Sequence, residues 1–160
     1  MKIQASCISK WEVPIKASDF IIASLQGWWN SLSPQERQDI DKIQLEMDNA
    51  PESSGVRTQF LKRIIESTDT IGKTIQLLYF PPYHSKYNPI ERCWGILDRH
   101  WNGTLLSDVH VMTNWAKTML WKGIHPIVEV STEIYEKGIS LTKSAMKAIE
   151  KRLKRDPELP

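Results

Sequence analysis

The alternation of strand-like and helix-like patterns over residues 42–101 constrains the fold of this chain more than any other feature. The segment 42–47, KIQLEM, alternates apolar and polar side chains as a half-buried strand does. Residues 75–80 are almost continuously apolar, as in a strand buried on both faces, and helical spacing separates the two segments. A strand, a helix and a second strand in this order almost always form parallel neighbours with a right-handed connection. The sequence therefore predicts an α/β fold built on a parallel βαβ unit.

Helical periodicity continues on both sides of this unit, and start and stop residues mark the ends of the helices. Ser18 begins an amphipathic pattern, and Gly72 is suited to end the helix between the two strands. Ser33 and Pro34 open a turn or a short helix, and strand-like pieces occur in residues 1–17. The predicted longer helices cover residues 18–31, 54–71, 89–101, 107–120, 127–136 and 142–153.

Composition limits the kinds of protein that this chain can be. With 160 residues, 41% hydrophobic residues and seven tryptophans, the chain has enough apolar surface to fold. Its net charge of +2 permits a polyanionic partner without requiring one. Cys7 and Cys93 have neither CxxC nor metal-ligand spacing, which predicts reduced thiols in a cytoplasmic protein. No apolar run reaches the roughly 18 residues of a membrane span, so a membrane protein is not expected.

The junction YFPPYHSKYNPIERCWGILDRHW, residues 79–101, carries the densest set of structural signals. The two prolines after Phe80 lack backbone donors, so the second strand has to end there. An apolar stripe at spacings of three and four then follows: Ile90, Cys93, Trp94, Leu97 and Trp101. Asn88 is typical of a helix N-cap and Pro89 of the first helical position, which places Glu91 in the first turn.

Two acidic residues are predicted to lie at one edge of the sheet. Asp48 leaves the carboxyl end of the first strand, and Glu91 begins the helix beyond the carboxyl end of the second. Open α/β sheets bind ligands at the edge formed by the carboxyl ends of their strands. Converging carboxylates suit Mg²⁺, which takes oxygen ligands and is commonly completed by substrate phosphates. The order of elements therefore makes Asp48 and Glu91 candidates for one metal site with phosphate chemistry.

Each carboxylate also has a purely structural interpretation. Asp48 can stabilise the turn DNAP, residues 48–51, as aspartate often does after strands. Glu91 can complete a capping box by accepting a hydrogen bond from the backbone amide of Asn88. Periodicity alone leaves the structural and the metal-binding interpretations open for both residues.

Three segments resemble a known enzyme family: MDNAP around Asp48, the helix RTQFLKRIIE, and PPYHSKYNPIERCWGILDRHWNG. They are similar to the second half of the catalytic domain of insertion-sequence transposases of the DDE type, on the mariner-like side of that group. The similarity covers about residues 18–148 and is most specific over 83–94. It implies an RNase H-like fold and DNA transposition by a mobile element, with transposon ends and target DNA as partners. It further implies that Asp48 and Glu91 are the second and third metal-binding carboxylates, which hold Mg²⁺ or Mn²⁺ for strand cleavage and transfer.

The chain also departs from the family pattern. In the family, the first aspartate lies on a strand series before the helix that corresponds here to residues 18–31. Glu12 and Asp19 are the only acidic residues before the body of that helix, and Asp19 is better explained as a first-turn residue on the helix dipole. We therefore expect a truncated or decayed transposase that is inactive alone, or a piece that needs its missing half from another chain.

These expectations give a specific architecture. Residues 1–104 are predicted to be the C-terminal portion of an RNase H-like catalytic core, with a parallel βαβ unit plus helices and with the first strands missing. Residues 105–160 are predicted to be a helical extension of the same domain. A homo-oligomer or a complex with a full-length transposase is the expected assembly.

Basic residues flank Glu91 and end the chain. His84, Lys86 and Arg92 are predicted DNA contacts, although a solvated loop and an exposed helix surface explain them almost as well. The terminal segment from Thr142 concentrates positive charge and is predicted either to follow a DNA backbone or to form an exposed charged helix. Its predicted DNA contacts are Lys151, Arg152, Lys154 and Arg155. A non-catalytic fragment that binds DNA or a transposase is accordingly the second functional hypothesis.

Overall fold

A computed structural model of the chain describes residues 18–47, 51, 53–81, 88–131 and 141–155. The strand-like pieces predicted before Ser18 lie outside the described residues. The described elements are α1 (Ser18–Ser31), α2 (Pro34–Gln38), β1 (Lys42–Met47), α3 (Thr58–Ile71), β2 (Thr74–Tyr79), α4 (Pro89–Trp101), α5 (Val109–Thr118) and α6 (Lys143–Glu150). This mixture of helices with a small parallel sheet confirms the α/β class predicted from the sequence.

The strands β1 and β2 pair in parallel, in a register that runs from Lys42 opposite Thr74 to Met47 opposite Tyr79. β1 has its predicted bounds, and β2 lies one residue earlier than the strand predicted at 75–80. Since α3 connects the two strands, the predicted parallel βαβ unit is confirmed. The carboxyl ends of both strands therefore lie at one edge of the sheet, marked by Met47 and Tyr79.

The described residues fall into two compact units. One unit contains α1, α2, β1, α3, β2 and α6, and the other contains α4, α5 and the segment after α5. The predicted domain bounds 1–104 and 105–160 stay a prediction.

Apolar side chains of α1, α3 and the sheet form the core of the first unit. Ile22 on α1 and Phe60 on α3 are fully buried, and Ile43 brings β1 into the same cluster. The helical spacing of apolar residues on α1 and α3 accounts for this packing. Burying one such side chain contributes about 1.5–3 kcal/mol. The core therefore holds α3 against the sheet and sets the positions of its two ends.

The two ends of α3 differ in how well the sequence predicts them. Gly72 ends the helix with a left-handed φ of 70°, and its N–H donates to the Thr68 carbonyl at 2.9 Å, as expected of a C-terminal glycine. The start at Ser54 is wrong, because the helix begins at Thr58. The Arg57 N–H donates to the Ser54 carbonyl at 2.9 Å, so the backbone closes a turn there before the helix begins.

The core of the second unit forms where α4 packs on α5. Its buried residues are Cys93, Leu97, Ala116 and Met119. Ile90, Trp94 and Trp101 are partly buried against this core, which confirms the apolar stripe predicted for α4. The stripe faces α5, and the polar residues of α4 cover the rest of the helix.

The helix α5 differs from its prediction at the start and on one face. It begins at Val109 rather than at Ser107. Asp108 is the N-cap, and its Oδ1 accepts a hydrogen bond from the Val111 N–H at 2.9 Å. Met112 is buried, but three other apolar residues of this segment are substantially exposed: Val109, Trp115 and Leu120. The buried face of α5 is therefore narrower than the apolar pattern indicates.

The last two predicted helices do not agree with the structure: the first is absent where the structure describes it, and the second is shorter than predicted. Residues 127–131 are not helical, so the helix predicted over 127–136 is wrong there, and 132–136 lie outside the described residues. The β-branched residues in IVEV, which lose side-chain freedom in a helix, disfavour a helix in this segment. Thr142 caps α6 as predicted, by accepting from the Ala145 N–H, and the helix ends before Leu153. No helix among the described residues is long and apolar enough to cross a membrane.

Candidate functional site

The carboxyl edge of the sheet is where the sequence places the candidate metal ligand Asp48. Met47 and Tyr79 are the last pair in the parallel register, and Asp48 follows Met47 in the sequence. Asp48 itself lies outside the described residues, as do the predicted DNA contacts His84 and Lys86. The structure therefore describes the strands that lead toward these residues.

Tyr79 organises the described part of this edge. Its hydroxyl donates to the Ser53 carbonyl at 2.7 Å. Its ring lies against Gly55, where a Cβ would stand 3.3 Å from the ring carbon Cε2. Burial raises the pKa of the Tyr79 hydroxyl, against the opposing charge of Arg155. Tyr79 therefore ties the turn that leads into α3 to the carboxyl end of β2, and the lack of a side chain at Gly55 permits this close approach.

Glu91 lies in the first turn of α4, where the predicted helix start is confirmed. Asn88 is the N-cap, and its Oδ1 accepts from the Ile90 N–H at 3.2 Å. The Glu91 N–H is also satisfied, by the Asn88 carbonyl at 3.2 Å. Within the part of the chain that the structure describes, the exposed Glu91 carboxylate makes no hydrogen bond and no ion pair. The cap of α4 is therefore made without the Glu91 side chain, and the Glu91 carboxylate is available to a ligand.

Arg92 is the one predicted DNA contact near Glu91 that the structure describes. It is exposed on α4, next to Glu91 in the chain and away from the apolar stripe that packs on α5. No described residue accepts a hydrogen bond or ion pair from its guanidinium. Its exposure is compatible with both interpretations that the sequence left open, and its role in DNA contact stays a prediction.

Asp19 has a different environment from Glu91, although it also lies in the first turn of a helix. Its carboxylate pairs with Arg63, whose Nε lies 2.7 Å from Oδ1, and Oδ2 accepts from Gln59 Nε2 at 3.1 Å. Arg63 also binds Glu66 at 2.7 Å. Asp19 therefore links α1 to α3, and this tertiary contact adds to the helix-dipole role predicted from the sequence.

The partners of Asp19 could not be predicted from the sequence. Gln59, Arg63 and Glu66 recur at spacings of four and three, so they form a polar stripe along one face of α3. Gln59 is only 7% exposed, which is unusual for a glutamine and marks the stripe as an interhelical contact. The polar stripe was visible in the sequence as the outer face of the helix, but nothing in it pointed to α1.

The basic residues after α6 divide into two chemical groups. Arg152 donates both terminal nitrogens to Asp69, with Nη1 2.9 Å from Oδ2, and Arg155 Nη2 donates to the Gly55 carbonyl at 3.0 Å. The hydrogen bond from Arg152 holds the pKa of Asp69 below its usual value. Lys151 and Lys154 are exposed and have no partner among the described residues. Arg152 therefore attaches the terminal segment to α3 and Arg155 attaches it to the turn before α3, while the two lysines are exposed.

No group of three or more His, Cys, Asp or Glu side chains suited to a metal ion occurs among the described residues. The predicted ligand pair includes Asp48, which lies outside them, so the ligand roles of Asp48 and Glu91 stay predictions. The chemistry of the pair fits a hard divalent cation, because both groups are carboxylates and Glu91 is exposed without a described partner.

A parallel βαβ unit followed by a proline-started helix with a carboxylate in its first turn is compatible with the catalytic domain of a DDE transposase. A family model described as the Rhodopirellula transposase DDE domain matches residues 8–160. The chain therefore belongs to this family of DDE transposase domains, as its motifs around Asp48 and Glu91 indicated. No curated protein and no solved structure gives a significant match to the chain.

Family membership sets the broad function of the chain. Transposase domains act in DNA transposition, so the family implies DNA as the partner. The DDE family generally uses a divalent metal, which agrees with the oxygen ligands predicted from the sequence.

Proposed function

We propose that this chain provides two metal-binding carboxylates, Asp48 and Glu91, for the cleavage and transfer of DNA strands during transposition. The observation that carries the proposal is the environment of Glu91. Asn88 caps α4 by accepting from the Ile90 N–H, and the exposed Glu91 carboxylate in the same first turn has no partner among the described residues. An exposed carboxylate that makes no contact with a described residue can bind a cation.

The donor chemistry supports Mg²⁺ or Mn²⁺ as the ion. When bound, such an ion supplies activation of a water or a DNA 3′-hydroxyl and stabilises the charge of the phosphodiester under attack. The roles of the protein are to hold Asp48 at the carboxyl end of β1 and Glu91 in the capped first turn of α4. That the two carboxylates share one site stays a prediction from the order of strands and helices in the sequence.

The finer family assignment is part of the same proposal. We place the domain in an RNase H-like core on the mariner-like side of the DDE group, because of the motifs MDNAP and NPIE. The parallel βαβ unit supports this placement, since it supplies a carboxyl edge at the expected point in the chain.

We further propose that the 160-residue chain does not cleave DNA by itself. A DDE centre needs a third carboxylate, and Asp19 is engaged by Arg63 and Gln59 in the contact between α1 and α3. Withdrawing Asp19 to bind a metal ion leaves the Arg63 charge in a partly buried position without this partner. Glu12, the acidic residue that precedes α1, lies outside the described residues. Nicking of a supercoiled plasmid by the purified chain in Mg²⁺ contradicts this part of the proposal.

Titration with Mn²⁺ tests the metal ligands directly. We expect Asp48→Asn and Glu91→Gln each to weaken Mn²⁺ binding by at least about tenfold, since even the loss of an outer-shell partner costs about 10- to 100-fold. Free Mn²⁺ is measured by its electron paramagnetic resonance signal in the presence of folded protein.

Two matched controls remove the same charge elsewhere. Asp98→Asn changes an exposed carboxylate two turns further along α4, and Asp41→Asn changes one beside the amino end of β1. Both controls are expected to bind Mn²⁺ like the wild type. Equal binding by all five proteins contradicts the metal site.

A second function is favoured by the exposed lysines after α6. In this alternative the chain binds DNA, or a full-length transposase, without taking part in catalysis. Duplex binding that persists in EDTA and is unchanged by Asp48→Asn and Glu91→Gln, together with wild-type Mn²⁺ binding by both variants, supports the alternative. Mn²⁺ binding by the wild type that is weaker in these two variants supports the catalytic proposal.

A further inference from the structure

The segment KRLKR, residues 151–155, contacts the last turn of α3 and the turn that precedes its first residue. Arg152 binds Asp69 in the last turn of α3, and Arg155 binds the carbonyl of Gly55, three residues before the helix begins. A helix of 14 residues is about 21 Å long. The backbone between Arg152 and Arg155 spans at most about 11 Å, so the two long arginine side chains reach in opposite directions to these contacts. The order of the contacts is antiparallel to α3, and the second lies beside the carboxyl end of β2.

The contacts at that end connect the KRLKR segment with the edge of the sheet. Arg155 binds the Gly55 carbonyl, and the ring of Tyr79 lies against Gly55. Tyr79 pairs with Met47 at the ends of the two strands. The positive charge of Arg155 is therefore located at the carboxyl edge that precedes Asp48 in the sequence.

The order of residues in the KRLKR segment separates attachment from exposure. In each Lys-Arg pair the arginine binds the α3 region, and the lysine is exposed without a partner among the described residues. Leu153 between the pairs is partly buried, and α6 itself packs against α3. Arg152 suits attachment because its planar guanidinium binds the Asp69 carboxylate with two parallel bonds. The unpaired lysine ammonium groups are point charges that can bind phosphate.

We propose that the KRLKR segment is a docked phosphate-binding strip, in which Arg152 and Arg155 attach the segment to the α3 region and Lys151 and Lys154 contact the phosphates of a DNA strand. The strip guides that strand along α3 toward the carboxyl edge of the sheet. This inference rests on the proposed function, because it takes DNA as the ligand. The sequence predicted all four basic residues as DNA contacts, whereas this proposal assigns DNA contact to the two lysines alone.

A charge swap distinguishes a docked strip from a free basic tail. In a docked strip, Arg152→Glu weakens DNA binding by about two- to fivefold, the scale of an exposed ion pair, and adding Asp69→Arg restores wild-type affinity because the pair is rebuilt in reverse. In a free tail, Arg152 touches phosphate itself, so Arg152→Glu remains impaired whether or not residue 69 is changed. Loss that Asp69→Arg does not repair therefore overturns the proposal.

The lysines are tested by the salt dependence of binding. Each phosphate contact adds about 0.9 to the slope of log affinity against log salt concentration, so Lys151→Gln with Lys154→Gln is expected to lower the slope by about two. Lys143→Gln with Lys147→Gln removes the same charge from α6 and is the matched control, with the slope unchanged. Equal slopes for the wild type and the Lys151 and Lys154 variant overturn the assigned contacts.

The measurement uses fluorescence anisotropy of a labelled 30-base-pair duplex in EDTA, between 50 and 200 mM NaCl. No binding by the wild type overturns the strip. Because EDTA removes the divalent metal, this result is independent of the Mn²⁺ titration that tests the catalytic proposal. Limited trypsin digestion without DNA is a second readout: Asp69→Asn is expected to speed cleavage after Lys151 and Lys154, and unchanged cleavage contradicts docking.

Discussion

Asp19 on α1 and Glu91 on α4 are both first-turn carboxylates, yet their surroundings differ completely. Asp19 is bound by Arg63 and Gln59 across a helix interface, whereas Glu91 is exposed with no partner among the described residues. The helix dipole favours an anion at both places. The position in the helix therefore does not decide the role of a carboxylate; the presence or absence of a tertiary partner does.

The largest expected effect of this difference is on stability. Asp19→Ala removes the acceptor of Gln59 Nε2 and the partner of Arg63 Nε in a partly buried interface, and leaves Arg63 only its pair with Glu66. We therefore expect it to lower the free energy of unfolding by about 2 kcal/mol. Glu91→Ala removes no described contact and is expected to stay within about 0.5 kcal/mol of the wild type. Urea unfolding followed by tryptophan fluorescence measures both values. Equal losses from the two substitutions break the comparison.

Local signals in the sequence predicted many of the helix and strand ends near these carboxylates. The bounds of α1 and β1 agree with their apolar patterns, and Asn88 with Pro89 begins α4 as expected. In each case neighbouring residues supply the signal, as in a cap or an alternation of side chains. The parallel pairing of β1 with β2 also followed, because a strand, a helix and a strand leave few alternatives.

Contacts between distant parts of the chain were not predictable in this way. Asp19 and Gln59 are 40 positions apart, and Arg152 and Asp69 are 83 apart. Each of these residues is charged or polar on a helix surface, so the pattern indicates only exposure to solvent. The start of α5 shows a local ambiguity instead, since Ser107 and Asp108 are both good caps and only the bond from Val111 decides between them.

A smaller effect is expected from the cap that satisfies the start of α4. Asn88 is buried and its Oδ1 accepts from Ile90, so Asn88→Ala is expected to cost about 1 kcal/mol. Asn88→Asp keeps an acceptor and is the matched control. If Glu91 binds the metal from this turn, Asn88→Ala also weakens Mn²⁺ binding, because fraying of the first turn moves the ligand. Unchanged Mn²⁺ affinity together with the expected loss of stability shows that the cap does not position Glu91.

The smallest effect concerns a third carboxylate at a helix start, Asp108. The hydrogen bond from the Val111 N–H, with a further one from Ser107, holds the pKa of Asp108 below its usual value of 3.8. A group with a lowered pKa stabilises the fold above its unfolded pKa, and this contribution disappears as the pH falls through the folded pKa. Asp108→Asn keeps a cap that does not titrate. The wild type is therefore expected to lose stability relative to Asp108→Asn only below about pH 4, and a constant difference from pH 7 to pH 2 shows that the cap does not depend on the charge. With that result, Asp108 resembles the neutral cap Asn88 more than it resembles Asp19, whose partner is a cation.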